Sequence, residues 1–398
     1  MTTSQKYLIG AMLALLGMAI FVFRADLFVL AHRPNVTAVL QKWVQPYGFG
    51  ICLLLFGYLL ARGLNFKGWM FILLFVLWEL TYVVILNFGA GFLPEKAKLS
   101  GWLGDFKRVA LNHRSMIQFQ EESARYDSEL FYTLKPGKST FKSFEFNTTY
   151  DVNPLGVRDD AASLEYPEVI FLGDSFTMGW GVEQNESFPA RFEQMTGLKC
   201  LNTGVSSYGT AREMRMLART KMDSLKAIVI QFHDTDLEEN NFYVKNMRLG
   251  SRTQEDFDAQ VADNKKYLAW APFRYLKTAL LNAVAGVQGA QATEEALEGN
   301  DTQFPAFLAE FFSIFAEIRE MTDAPVILTY TGSFYTDPGM IKRFETYGKQ
   351  HGPESIFYLN LGPVLDHEDY FYFDDHINAA GHQKVADALL TTYREVIK

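Results

Sequence analysis

The chain has 398 residues, 48% of them apolar and 21% charged, which is too hydrophobic for a disordered protein and long enough for a membrane segment together with a domain of substantial core. Its 46 acidic residues against 37 basic ones leave a net charge of −9, and with no basic patch or Lys/Arg-rich arm the sequence excludes a nucleic-acid binder. Two cysteines, Cys52 in an apolar run and Cys200 at the start of a strand, form no disulfide framework and read as buried thiols, so the redox compartment is not legible from them.

Residues 1–90 hold three long apolar runs, 7–23, 47–61 and 68–88, the last two separated by Arg62, Asn65 and Lys67. They predict about three transmembrane helices, although the second run and the core of the first fall slightly short of the ~20 residues a span needs. The first run can extend through Arg24 and Asp26 to Leu30 as a tilted helix. A cleaved signal peptide is the alternative for it, but no small-x-small cleavage site follows, and an uncleaved span is expected. Lys6, Arg62 and Lys67 on one side balance Arg24, Arg33 and Lys42 on the other, so the positive-inside count is a tie. An odd number of spans with the amino end inside places the large domain outside the cytoplasm, the orientation that suits the chemistry below. Glu79 is an ionisable residue in mid-span, by default a hint of function. With no second intramembrane charge to pair it, a hydrogen bond to a neighbouring helix is the expected role.

Residues 91–164 read as a linker and accessory strand region, with "LKPGKSTFKSFEFNTTYDVNPLGVRDD" giving short strands between Pro and Gly turns. Residues 165–398 then alternate regularly: strand 168–172, helix 186–196, strand 199–202, helix 210–222, strand 226–232, an insertion near 238–303, helix 304–321, strands 324–330 and 355–360, and helix 379–397. Such alternation predicts a parallel sheet covered by helices on both faces. Thr210 and Asn378 supply good N-cap types for two of these helices. Within the insertion, "YLAWAPFRYLKTALLNAV" carries large apolar residues that suit a lid, a face resting on the membrane, or a helix pair packed on the sheet, the last being favoured. The polar tract "GAQATEEALEGND" after it predicts a mobile loop.

The chemistry begins at "VIFLGDSFTMGWGV" (169–182). A buried strand stops at Gly173, which leaves Ser175 at its carboxyl end, where open α/β sheets hold their ligands. A serine hydroxyl becomes nucleophilic when a base takes its proton, and the base works best when a carboxylate orients it. His32 and His113 fall in the membrane-proximal loop and the linker, leaving His233, His351, His367, His376 and His382 for the domain. In "YFYFDDHINAAGHQKVADALL", Asp374, Asp375 and His376 come directly before the final helix. A loop there ends on the same side of a parallel sheet as the loop after strand 168–172, so Ser175 and His376 can meet.

Four segments, "GDSF", "NTGVSSYG", "QFHDTDLEEN" and "DDHINAAGH", resemble the ordered blocks of the GDSL or SGNH hydrolase superfamily across residues 165–398. The resemblance implies a flavodoxin-like three-layer α/β/α fold and acyl-ester chemistry. Ser175 would be the nucleophile and His376 the base, with an oxyanion hole from the Ser175 amide, Gly204 and an asparagine. A glycine at 204 lets a bare N–H approach a developing oxyanion. The asparagine position is held by Thr235, followed by Asp236, so that a hydroxyl replaces the amide; losing one such donor is typically worth ~10²–10³ in rate. The family often spaces its acid three residues before the base, where this chain has Phe373. Asp374, two before, is taken as the orienting acid, as in related Asp-x-His-x-Asn sequences, with Asp375 as the fallback. Gly156 and Arg158 in "NPLGVRDD" resemble a segment that precedes the serine block in membrane-linked members, and Arg158 reads as structural. His382 is expected to pack or cap near the start of the last helix.

A metal site is the competing use for these residues, because His233, Asp234, Asp236, Asp374, Asp375 and His376 can converge, and carboxylates with imidazoles suit a divalent ion. No close ligand pair of the Cys-x-x-Cys or His-x-x-x-His kind supports it, so neither metal nor cofactor is expected. The Asp-Asp-His cluster also admits a plain structural reading, a solvated turn capping the last helix. The sequence therefore predicts a membrane-anchored serine esterase or acyl hydrolase at the cell envelope, acting through an acyl-serine on acylated glycan or lipid, with the bilayer and that substrate as partners. The alternatives are an O-acyltransferase of an envelope polysaccharide, which would need a membrane partner to supply its acyl donor, and a non-catalytic scaffold that keeps the fold.

Overall fold

The computed structural model describes residues 1–23, 45–89, 102–250, 252–333, 335–352 and 355–396. The expected extension of the first span to Leu30, with Arg24, Arg33 and Lys42, lies outside them. The chain divides into two compact units, one formed by the described parts of Met1–Leu93, Gly101–His113 and Lys266–Gln288, the other by those of Arg114–Lys265 and Gly289–Lys398.

In the first unit all three apolar runs are helical, as α1 (Thr3–Phe23), α2 (Gln45–Gly63) and α3 (Gly68–Phe88), followed by α4 (Trp102–Asn112). By length and composition α1 and α3 can each cross a membrane, whereas the apolar part of α2, Tyr47–Gly63, is shorter. Met12, Leu16, Ile51, Leu73, Leu77 and Trp78 point outward and exposed. Helices with apolar residues all round need an apolar surrounding to be stable. Small residues let them approach, as where a Cβ on Gly17 would lie 3.0 Å from Cys52 Sγ. Glu79 accepts hydrogen bonds from the backbone N–H of Leu276 (2.9 Å) and Tyr275 (3.4 Å). These belong to the first turn of a helix, whose N–H groups have no intrahelical acceptor, so the mid-span carboxylate answers donors that would otherwise be orphaned.

The same contact corrects the favoured reading of the insertion for its apolar stretch around 273–276, while Tyr243 and Phe257 of the insertion do pack in the core that holds the strands. Phe273 and Leu276 are buried with Met18, Phe49 and Leu53 of α1 and α2 rather than on the sheet, and Pro272 fits the gap left by the bare Cα of Gly50.

In the second unit two antiparallel hairpins come first, β1 (Ala124–Asp127) with β2 (Phe131–Leu134) and β3 (Gly137–Lys142) with β4 (Asn147–Val152). Strands β5 (Val169–Leu172), β6 (Cys200–Asn202), β7 (Ala227–Phe232), β8 (Val326–Tyr330) and β9 (Ile356–Leu359) form one parallel sheet in the order β6-β5-β7-β8-β9. The helices between them are α5 (Ser175–Met178), α6 (Phe188–Thr196), α7 (Thr210–Leu217), α8 (Asp236–Asn246), α9 (Gln254–Leu268), α10 (Arg274–Met321, whose residues up to Gln288 are counted in the first unit), α11 (Pro338–His351) and α12 (Ala379–Val396).

Alternate strand residues go to opposite faces. Ile170, Leu172, Ile228, Ile230 and Leu328 pack with residues of α7, α10 and α11, while Val169, Phe171, Val229 and Ile327 pack with α6 and α12. Burial on both faces is why the strands read as unbroken apolar runs, and the result is a three-layer α/β/α domain. Because every strand of the sheet is parallel, the loops after β5, β6, β7 and β8 open on one edge.

Two elements depart from expectation. The tract "GAQATEEALEGND" lies within α10 instead of forming a loop, since Ala, Glu and Gln are strong helix formers whatever their polarity. Helix α11, between β8 and β9, has no counterpart among the predicted elements; its apolar face is short, with Ile341 and Phe344 buried. The central strand supplies the test of the layering. Phe171 is fully buried and its ring meets those of Phe188 and Phe192. Phe171→Ala should destabilise the domain by about 3–5 kcal/mol in denaturant unfolding of the detergent-solubilised protein, the cost of an aromatic-sized cavity.

Candidate active site

Strand β5 delivers the chain to the edge of the sheet, and the turn that follows is tied from below. A Cβ on Gly173 would collide with Thr177 Oγ1 and sit 2.7 Å from Gln231 Oε1, so glycine is what allows the close approach. Gln231 Oε1 accepts from Asp174 N (3.3 Å) and Thr177 Oγ1 (3.0 Å). Asp174 caps the short helix by accepting from Phe176 N at 2.9 Å. The consequence is a fixed position for Ser175 at the start of α5, its side chain almost wholly buried.

Ser175 Oγ lies 2.6 Å from His376 Nε2, across 201 residues of sequence. His376 Nδ1 lies 2.6 Å from Asp374 Oδ1 and 3.0 Å from Asp375 Oδ1, so the imidazole faces both carboxylates that the sequence offered. The two differ in their other partners. Asp374 Oδ2 accepts from Trp180 Nε1 (3.1 Å), whereas Asp375 is the closer partner of the Arg114 guanidinium, which also lies 3.5 Å from Asp374 Oδ1. Trp180 also stacks on His376, with centroids 4.7 Å apart and planes 13° apart, and Phe176 meets the same ring at 4.7 Å. The ring is held on two sides and through both nitrogens.

These contacts set its proton affinity. Burial alone would lower the His376 pKa, but the charges of Asp374 and Asp375 and their hydrogen bonds outweigh it and raise the value to about 9. Burial pushes Asp375 upward, yet His376 and Arg114 hold it well below the usual carboxylate range. Arg114 and Trp180 carry no local signal of a role at this site: they come from the segment before β1 and the loop after α5.

The expected oxyanion donors are placed otherwise. Gly204 N–H donates to Asn202 Oδ1 (3.0 Å), and a Cβ there would lie 2.8 Å from Thr177 C. Glycine is required at 204 for close packing under α5, and its amide is already engaged; Asn202 Nδ2 completes the staple by donating to Thr177 O at 2.9 Å. The left-handed residue in that loop is Ser207, with φ of 60°. Thr235 is exposed and its hydroxyl is 2.9 Å from His233 Nδ1, which the Thr235 N–H also reaches at 3.2 Å. Its hydroxyl thus serves His233. The Ser175 N–H, in the first turn of α5, is the donor of the expected set that stays at the nucleophile.

Arg158 is buried and donates to the carbonyls of Thr149, Met178, Gly179 and Val182, tying the end of α5 to β4. It lies 3.7 Å over the Tyr150 ring and is structural here. Gly156, with φ of 92°, packs against Thr133 at the end of the hairpins. His382 is fully buried, accepts from Phe188 N at 3.2 Å, and burial lowers its pKa to about 3.

Asp374, Asp375 and His376 are also the cluster whose ligand atoms lie within 4.8 Å of one another among the described residues. As donors to a cation they are already committed: His376 Nε2 is on Ser175, its Nδ1 is on the carboxylates, and Arg114 brings a positive charge to the same place. Asp234 accepts instead from Tyr330 Oη (3.0 Å), and Asp236 from Thr210 Oγ1 (3.0 Å).

Beneath the site, Glu213 and Asp236 are buried, and both Glu213 oxygens and Asp236 Oδ1 have no hydrogen-bond partner among the described residues. Burial raises both carboxyls well above the ordinary range, with the charges of Asp236 and Asp174 adding to it at Glu213 and that of Asp174 at Asp236. A group whose folded pKa is raised binds more protons folded than unfolded, so stability falls as pH rises past the ordinary carboxylate value. Glu213→Gln should therefore unfold later than the wild type at pH 8, with the difference shrinking toward pH 4, as read from urea midpoints.

No protein-family model and no curated protein matches the chain. Solved structures of similar fold include a protein from Desulfitobacterium hafniense DCB-2 described as lipolytic and of the G-D-S-L family, at 15% identity and a TM-score of 0.29, covering 56% of this chain and 98% of that one. Others are a carbohydrate esterase family 2 enzyme from Corynascus thermopiles (12% identity, 61% and 69% covered, TM-score 0.34) and a salicylyl-acyltransferase from a tetracycline biosynthetic pathway (15%, 60% and 56%, 0.34). Likeness at this level concerns the fold alone, and no residue's role in this chain rests on it.

Proposed function

We propose that the protein is a serine esterase of the SGNH kind that works through an acyl-enzyme on Ser175. One observation carries the reading: an unbroken chain of short contacts, Ser175 Oγ to His376 Nε2 and His376 Nδ1 to Asp374 Oδ1, each of 2.6 Å. In the first half-reaction the Ser175 oxygen attacks the ester carbonyl, its proton passes to His376 Nε2, and the Ser175 N–H faces the oxyanion. The C–O bond to the alcohol breaks as His376 returns that proton to the leaving oxygen. An acceptor hydroxyl then attacks the acyl carbon as its proton passes to His376, and the acyl–Oγ bond breaks as His376 hands that proton to Ser175 Oγ. Asp374 and Asp375 orient the ring and stabilise its charged form; they take no proton themselves.

Two apolar helices of spanning length support a membrane anchor, and we place the substrate accordingly as an acylated glycan or lipid of the cell envelope, with the catalytic domain on the extracytoplasmic side. Water as the acceptor makes the enzyme a hydrolase and a glycan hydroxyl makes it a transferase, which would draw its donor from a membrane partner. Product analysis with an acylated sugar, in the presence and absence of a second sugar, separates the two by whether free acid or a new ester accumulates.

A fluorophosphonate probe tests the core of the proposal. The purified protein should be labelled, and Ser175→Ala and His376→Ala should not; Asp374→Asn should slow labelling on the order of 10⁴-fold, since the ring loses its orienting acid. A folded protein that resists the probe would favour the scaffold. The base is active when neutral, and a pKa raised to about 9 leaves it mostly protonated at pH 7, so labelling should speed up roughly 100-fold from pH 7 to its plateau.

A further inference from the structure

The loop that carries the acid and the base is held at its tip by a carboxylate that the reaction does not call for. Residues 371–375 belong to no helix or strand, so their backbone donors need acceptors elsewhere. The neck of the loop is closed by Phe371 N donating to His376 O (3.0 Å) and by the bridge between Tyr370 and Ile377. Its tip is closed by Glu145. That side chain accepts three successive amides, Tyr372 N at 2.7 Å, Phe373 N at 2.6 Å and Asp374 N at 3.0 Å.

Glu145 sits in the turn between β3 and β4, and the turn is itself anchored. Ser143 N donates to Phe146 O (3.0 Å), and the buried Phe146 ring meets Phe371 at 5.3 Å and Trp180 at 6.5 Å. We propose that Glu145 is a positioning residue of the reaction: by gathering the amides of 372–374 it fixes Asp374 against His376 Nδ1, and it makes the β3–β4 hairpin part of the machinery. This rests on the esterase reading above.

The energetics point to position rather than stability. Three amide donors would by themselves lower a carboxyl's pKa. Burial nevertheless pushes Glu145 up to about 7, with the charge of Asp374 adding to the cost. A group kept where its charge is unfavourable contributes little net stability, and what it supplies is an acceptor geometry that a neutral side chain reproduces poorly. Glutamine in its place offers one carbonyl oxygen and turns an NH₂ toward amides that themselves donate.

The test reads the imidazole directly, so it does not depend on turnover. In the full chain, labelled at histidine, the His376 ring signals, assigned by their loss in His376→Asn, are titrated by NMR. In the wild type the inflection should lie near 9. In Glu145→Gln it should fall toward the ordinary imidazole value of ~6.5, because Asp374 no longer stays against Nδ1. Fluorophosphonate labelling at pH 8 should slow at least tenfold, with Glu145→Asp intermediate in both readouts. A Glu145→Gln inflection equal to the wild type's overturns the proposal, whatever happens to the melting temperature. If Glu145→Gln does not fold, Glu145→Asp carries the same comparison, and an unchanged inflection there overturns it equally. Absence of labelling in the wild type would instead sink the esterase reading, while the titration still decides whether Glu145 holds Asp374 against the ring.

Discussion

A buried imidazole that faces two carboxylates sets the terms for everything around it. Asp374 and Asp375 each aim an oxygen at His376 Nδ1, and like charges this close oppose each other's ionisation unless a cation or strong donors answer them. The answers come from outside the alternating strands and helices. Arg114 pairs with Asp375, Trp180 Nε1 donates to Asp374, and the loop bearing both acids is tethered to Glu145. An α/β core cut free of the segment before β5 would keep Ser175 and His376 and lose groups that hold their geometry.

Ser175, the proposed nucleophile, depends on a second set of buried polar contacts that work from the opposite side. Gln231, Asn202 and Arg158 between them engage the carbonyls or donors of residues 174, 177, 178 and 179. Each is buried, and each connects the turn to a different neighbour: Gln231 to β7, Asn202 to β6, Arg158 to the hairpins. Fixing the attacking oxygen in advance removes orientational freedom that would otherwise be lost during the reaction. The parallel sheet matters to function as the rigid edge on which these three anchors are mounted.

What is legible in the sequence is what is local in it. A strand ended by Gly-Asp-Ser, and an Asp-Asp-His before a helix, are short patterns, and they identify Ser175, His376 and both candidate acids. Partners that arrive from far away leave no pattern: Arg114 meets Asp375 across 261 residues, Trp180 meets Asp374 across 194, and Glu145 meets Phe373 across 228. Gly204 misleads for a related reason. A glycine can serve close packing or an open amide, and only its neighbours decide; here Met178 and Thr177 press on its Cα. The tract "GAQATEEALEGND" misleads because its polarity suggests a loop while helix propensity favours continuation of α10. Glu79 reads correctly as hydrogen-bonded, but its partners, the first amides of α10, lie almost two hundred residues on.

The pair of acids has a chemical consequence that a single acid would give only in part. An imidazole raised from about 6.5 to about 9 has a charged form favoured by roughly 3 kcal/mol over that of an ordinary histidine. In the proposed reaction that charged form is absent from a neutral resting base and appears as Ser175 gives up its proton. Stabilisation realised as the reaction proceeds lowers the barrier, whereas equal stabilisation of resting and reacting states would not. The same effect reduces the fraction of enzyme that begins with a free base at neutral pH. Arg114 moderates the balance, because its guanidinium lies against both acids, nearest to Asp375 and 3.5 Å from Asp374 Oδ1, and so offsets part of the charge that the pair offers the ring. The arrangement therefore reads as a base made strong by two acids and kept usable by one arginine.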